Sequence, residues 1–177
     1  SSATNSGIVI SASSATIQGN FIGLNAAGTA RIGNSNTGGS IENGSATIGG
    51  TNPGERNVIA GMAGVRFGGN PALGHSSGTV RGNFIGTDAT GMIALGSTNG
   101  VGIDVSHATG VVINGDVISG NGDGITVSSS GISGASSDLT RIQFNFIGTA
   151  ADGVTALGNS GRGVSICFSP NNSVGGT

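Results

Sequence analysis

A chain of 177 residues with a formal net charge of -2, 37 glycines, 8% charged residues and neither Trp nor Tyr is long enough for one domain with a sizeable core. Its only strong cations are six scattered arginines, which excludes the basic patch of a nucleic-acid binder. No apolar run approaches a membrane span and no signal peptide is present, so a soluble or already processed chain without membrane insertion is expected. The apolar residues fall into short Val, Ile and Phe runs, the pattern of a folded all-β chain rather than of disorder.

The runs recur in chain order. Gly7-Ile8-Val9-Ile10 is followed by an apolar centre at Ile17 and by Asn20-Phe21-Ile22, then by a loop, Leu24-Asn25-Ala26-Ala27-Gly28. Ser40-Ile41-Glu42-Asn43, Ile48 and Asn57-Val58-Ile59 repeat the triplet, with the loop Gly49–Arg56 before its third member. Gly64-Val65-Arg66-Phe67, Val80 and Asn83-Phe84-Ile85 come next, with a second loop at Thr87-Asp88-Ala89-Thr90-Gly91. Gly102-Ile103-Asp104-Val105, Ile113 and Asp116-Val117-Ile118 form a short unit. Gly124-Ile125-Thr126-Val127, Ile142 and Asn145-Phe146-Ile147 lead into a third loop, Thr149-Ala150-Ala151-Asp152-Gly153, and Gly163-Val164-Ser165-Ile166 with Val174 close the series. Long and short units alternate, and helices are disfavoured because no 12-residue window keeps a 3.6 period free of glycine.

Three short strands per unit, repeated, predict an all-β, right-handed parallel β-helix, a solenoid of about six coils. The chain is read as a single domain, 1–177, of three approximate 62-residue double-coil repeats. The Asn or Asp that opens each third strand suits a left-handed bend, and stacked amides there can hydrogen-bond along the axis. The expected core is Ile8, Ile17, Ile22, Ile41, Ile48, Val65, Val80, Phe84, Ile85, Ile103, Ile113, Ile118, Ile125, Ile142, Phe146 and Val164, with Phe21 also inward. Val9, Glu42, Arg66, Asp104, Thr126 and Ser165 are expected to share one outward column, where the alternating charges pair across coils. The three loops are expected to stand about 10 Å apart, twice the strand separation. They form either a repeated binding face or decoration whose Ile32, Leu95 and Leu157 tuck back onto the core.

The phrases "NFIGT", "IGGT", "NVIAG" and "DVISG", with the G-[IV]-x-[IV] runs, resemble the right-handed parallel β-helix repeats of large bacterial secreted and surface proteins of pectin-lyase-like architecture. The similarity covers about Gly7 to Thr177. It implies the fold and an extracellular or cell-surface location. It does not imply an activity, because that architecture hosts lyases, hydrolases, adhesins and passive spacers.

Candidate chemistry is sparse. Gly74-His75-Ser76-Ser77-Gly78 fits the G-x-S-x-G elbow literally but lacks the helix an elbow requires. "GNGDGI" around Asp123 is a loose match to a calcium-binding nonapeptide, with Asn121 where glycine is needed; no cofactor is expected beyond an incidental calcium ion. The best acid–base set is Asp104, His107 and Asp116 with Arg66 or Arg81, but each has a structural reading: charge pairing, a turn, the Asn bend. A column of Thr16, Thr47 and Thr79 gives way to Val112 and Arg141, too short for an ice-binding array. Cys167 reads as a small core filler. No catalytic, cofactor or metal residue is therefore assigned. The expectation is a non-enzymatic structural solenoid that adheres or self-associates. Ser1 aligns with the end of a third strand, and Val174–Thr177 with Ile48–Thr51. No cap is seen at either end. The expected partners are therefore copies of itself head to tail, or the rest of a longer array. The alternative is a polysaccharide-binding or polysaccharide-cleaving protein.

Overall fold

A computed structural model describes residues 6–129 and 138–176; Ser1 and Thr177, on which the alignment of the ends leans, lie outside them. The first coil consists of β1 (Ile8–Ser11), β2 (Ser14–Ile17) and β3 (Phe21–Ile22). The next three are β4 (Thr37–Glu42), β5 (Ser45–Gly49) and β6 (Val58–Ile59); β7 (Ala63–Gly68), β8 (Ser77–Arg81) and β9 (Phe84–Ile85); and β10 (Val101–Ser106), β11 (Val112–Asn114) and β12 (Val117–Ile118). A fifth coil is β13 (Asp123–Ser128), β14 (Arg141–Gln143) and β15 (Phe146–Ile147), and β16 (Val164–Cys167) and β17 (Ser173–Val174) begin a sixth. Every pairing between named strands is parallel, each strand meeting its counterpart one coil away. The result is three parallel sheets of six, six and five strands. The chain is a parallel β-helix. Its only helical turns among the described residues are two three-residue pieces, Pro53–Glu55 and Pro71–Leu73.

The core runs along the axis in four columns. The second sheet supplies Ile17, Ile48, Val80, Ile113 and Ile142, in the expected register, and all five are buried. The third sheet supplies Ile22, Ile59, Ile85 and Ile118, also buried. The first sheet supplies two columns. One is Ile8, Gly39, Val65, Ile103, Ile125 and Val164; the other is Ile10, Ile41, Phe67, Val105, Val127 and Ile166. Ile8 and Val164 are partly buried and pack on this core, Ile166 at the end of its column is 39% exposed, and Phe67, outside the expected list, is the largest fully buried side chain.

The second coil corrects the expected register. Ile41 pairs with Ile10 and Phe67, two residues along from its expected place. Ser40 therefore occupies the outward column between Val9 and Arg66, and Glu42 lies beyond it, opposite Ser11 and Gly68. A two-residue slip leaves every side chain on its own face, so hydrophobic pattern cannot detect it. Sterics can. A Cβ on Gly7, Gly38, Gly64 or Gly102 would stand within 3.0 Å of Cγ2 of Ile22, Ile59, Ile85 or Ile118 respectively. This glycine column marks where the first sheet crosses closest to the third, and Gly38 belongs to it, not Ser40.

The phenylalanines of the repeated Asn-Phe-Ile-Gly are a second correction. Phe21, Val58, Phe84, Val117 and Phe146 form one column facing away from the axis. Phe84 is buried there in a separate cluster with Leu24, Val58, Ala60 and Val117, while Phe21 and Phe146 are 48% and 46% exposed. The three loops provide the roof. Each is a small hairpin closed by an antiparallel bridge: Leu24 with Arg31, Thr87 with Ala94, Thr149 with Ala156. They are not separated fins, because the Ala89 amide donates to Gly28 O (2.9 Å) and the Ala151 amide to Gly91 O (3.0 Å). Gly28, Gly91 and Gly153 have φ of +68°, +71° and +70° and lie against the rings of Phe21, Phe84 and Phe146. Only glycine gives both that backbone and that approach. Leu95 packs onto the Phe84 cluster, whereas Ile32 is 72% exposed, so the expected tucking holds for the second loop and fails for the first.

Candidate functional site

The acid–base set read from the sequence is brought together only in part: Arg66 and His107 both act on the Asp104 carboxyl, whereas Asp116 and Arg81 lie apart from it. Asp104 lies on the first sheet, its Oδ2 3.5 Å from Arg66 Nε and its Oδ1 accepting from the Thr126 hydroxyl at 3.1 Å. Burial pushes its carboxyl up, and the Thr126 hydrogen bond and the Arg66 charge pull it partway back. His107 sits in the following bend at φ +60° with Nε2 buried and unpartnered. Asp116 belongs to a different corner, at the entry to β12, and Arg81 points out from the second sheet.

The other carboxylates fold the chain. In the first loop Asn25 Oδ1 accepts from the amides of Thr29 and Ala30. In the second, Asp88 Oδ1 accepts from Met92 and Ile93. In the third the acid has moved two positions, yet Asp152 Oδ1 accepts from the equivalent amides of Val154 and Thr155. The shifting Asn or Asp side chain therefore does one constant job, closing the hairpin. For Asp152 the Thr155 hydroxyl and these amides hold the carboxyl below the usual range. For Asp88 partial burial opposes the lowering, and the Thr90 hydroxyl and the amides prevail. Glu55 receives the backbone and side-chain amides of Asn52, which lower it likewise. Asp123 accepts from the Arg162 amide at 2.7 Å, with the Arg162 guanidinium 4.0 Å away.

Ser76 of the literal elbow is buried and donates to Ile41 O (3.0 Å) and Gly68 O, a strand-linking role with no access for substrate. Cys167 is exposed, correcting its expected place in the core. No group of three metal-ligating side chains is found among the described residues.

What remains is cationic. At the corner between the second and third sheets a groove of about 260 Å³ is lined by Gly50, Thr51, Asn52, Arg56, Arg81, Gly82, Asn114 and Gly115. Arg56 Nε donates to Gly82 O at 3.1 Å, and its guanidinium lies 4.1 Å from the centroid of the Phe84 ring. Those two contacts hold the guanidinium at the edge of the groove that Arg56 lines. Beside it the second sheet presents two outward rows, Ser14, Ser45 and Ser77, and Thr16, Thr47 and Thr79, in register. The Thr row continues into Val112 and Arg141, as expected. The cationic corner was missed in the sequence because Arg56 and Arg81 are 25 residues apart and meet only through the coil. No family, no curated protein and no solved structure matches the chain.

Proposed function

We propose that the chain is a non-enzymatic structural β-solenoid, secreted or displayed at the cell surface, that lengthens by stacking coils end to end and adheres through its faces. In this reading its architecture is akin to the pectin-lyase-like repeats named above. The observation that carries it is the commitment of the carboxylates: Asp104 pairs across coils, Asp88 and Asp152 close hairpins, Glu55 closes a turn, and Asp116 sits in a bend. Uniform parallel pairing supports the stacking, since one coil can follow another by the same pairing. A contact that repeats without closing yields fibres. Electron microscopy and the mass distribution against concentration test this. Fibres one β-helix thick, or bundles of them, support it; monodisperse single chains at high concentration refute it.

A second reading, binding of an acidic polysaccharide, is favoured by the Arg56–Arg81 groove beside the hydroxyl rows. Its ligand would place a carboxylate or sulfate against the two guanidinium groups. Titration with an acidic oligosaccharide and its neutral counterpart decides it. Arg56→Ala and Arg81→Ala should each weaken the acidic ligand several-fold and leave the neutral one unchanged; equal affinity in all three proteins rejects it.

A further inference from the structure

At the entry to the third sheet the chain stacks Asn20, Asn57, Asn83, Asp116 and Asn145 in one file. The Oδ1 of each later member accepts the backbone N–H of the one before: Asn20 to Asn57 at 3.1 Å, Asn57 to Asn83 at 3.1 Å, Asn83 to Asp116 at 2.7 Å and Asp116 to Asn145 at 2.9 Å. The Nδ2 has its own task. It donates to a second-strand carbonyl one coil back, from Asn57 to Ile17 O, Asn83 to Ile48 O and Asn145 to Ile113 O, at 2.8–2.9 Å. In Asn57 and Asn83 it also donates to Oδ1 of the next member, at 2.9 Å in both cases.

Asp116 breaks that pattern on one atom. Its Oδ1 does the work of an asparagine oxygen. Its Oδ2 occupies the place of Nδ2, where register assigns it Val80 O, the column-mate of Ile17, Ile48 and Ile113, and Asn145 Oδ1. Both are acceptors. Oδ2 is buried and has no hydrogen-bond partner. A carboxylate there would set a buried charge against oxygens, whereas a carboxylic acid carries the hydrogen that the site lacks.

We propose that Asp116 is a proton-operated latch of the ladder: protonated, it donates from Oδ2 in place of an amide and closes the file between the third and fifth coils, and deprotonated it loosens that seam. The groups packed on it are neutral: Asn83 from β9's entry, Asn145 from β15's entry, and the Asn114 backbone from β11. The charged residues on the flanking second-sheet strands, Arg81 of β8 and Arg141 of β14, are both exposed. Burial pushes the Asp116 carboxyl up to about 7, against the opposing pull of the Asn83 amide groups and of the Asn114 backbone. A folded value above the ordinary one of 3.8 means that the folded state holds the proton longer. Its stabilisation is complete below about pH 4 and is lost as pH rises through about 7.

The test is the urea midpoint of the intact chain and of Asp116→Asn from pH 4.5 to 8.5. The folding constant of the native chain should fall at least about tenfold relative to the variant over that range, tenfold being one pKa unit. Asp116→Asn, with the amide supplied, should be the more stable protein at pH 8.5. Parallel profiles, or a variant less stable than the native chain at pH 8.5, overturn the latch. Carboxyl ¹³C resonances of the native chain read the same group without substitution: a midpoint above about 6 for Asp116 supports the proposal, and one below about 5 refutes it.

Discussion

Truncating Phe84 to alanine tests the outer cluster, because this ring is held by four different parts of the coil. Val58 and Val117 flank it in the column, the loop glycine Gly91 lies on its face edge, Leu24 and Ala60 belong to the same buried cluster, and Arg56 stacks on it at 4.1 Å. Removing a buried phenyl ring costs about 3–5 kcal/mol where the site cannot collapse. The roof here is a hairpin tied to its neighbours by backbone hydrogen bonds, so little collapse is available. Loss of the cation–π contact adds about 0.5–1 kcal/mol, the exposed end of that range. Phe146 has the same position in the column and the same glycine above it, but is 46% exposed. Its truncation should cost about half as much. Urea or thermal unfolding of Phe84→Ala and Phe146→Ala side by side reads the difference. Equal losses, or a Phe84→Ala loss below about 1 kcal/mol, would refute the claim that the hairpins roof a second core.

Gly39 stands in a buried column between Ile8 and Val65, and a Cβ added there meets nothing within 4 Å. Gly39→Ala should therefore stabilise by about 0.4–1 kcal/mol, partly through the unfolded chain, while Gly38→Ala should destabilise because its Cβ meets Gly64 O and Ile59 Cγ2; denaturation midpoints of the pair should move in opposite directions. Asp104→Asn and His107→Ala should leave any turnover of acidic polysaccharide unchanged. A loss of turnover in either variant with folding intact would revive the enzyme reading. The Arg66–Asp104 pair, with its arginine side chain 46% exposed, is worth at most about 1 kcal/mol, so Asp104→Asn should shift the midpoint only slightly.

The three-strand coil was legible because period-2 apolar runs and the Asn or Asp before each third strand are local signals, and the amide ladder follows from them directly. The slip in the second coil was not, since Ser40-Ile41-Glu42 imitates the motif two residues late and the displaced position is filled by Gly39, which carries no hydrophobic signal. Phe84 was read as axial because burial and large size look alike on either face of a strand. What turns it outward is Ile85, which alternation sends inward beside it. The cationic corner depends on a loop crossing from one coil to the next, and no spacing in the chain encodes that crossing. Cys167 followed Ile166, and alternation alone already places it outward.

The alternation of long and short coils has a physical cause in the hairpins. Successive coils rise by one strand separation, about 4.8 Å. A hairpin is two backbones wide, and consecutive hairpins touch through the Gly28–Ala89 and Gly91–Ala151 hydrogen bonds. Two backbones need about the rise of two coils, so a roof of such hairpins has room for one on every second coil and leaves no gap between them. The column beneath is matched to this spacing: phenylalanine in the coils that own a hairpin, valine at Val58 and Val117 in those that do not. The larger ring lies under its own glycine, and the smaller side chain fills the space beneath the seam between two hairpins. The repeat unit is thus the double coil with one hairpin, which is why Asn-Phe-Ile-Gly recurs at Asn20, Asn83 and Asn145 rather than in every coil.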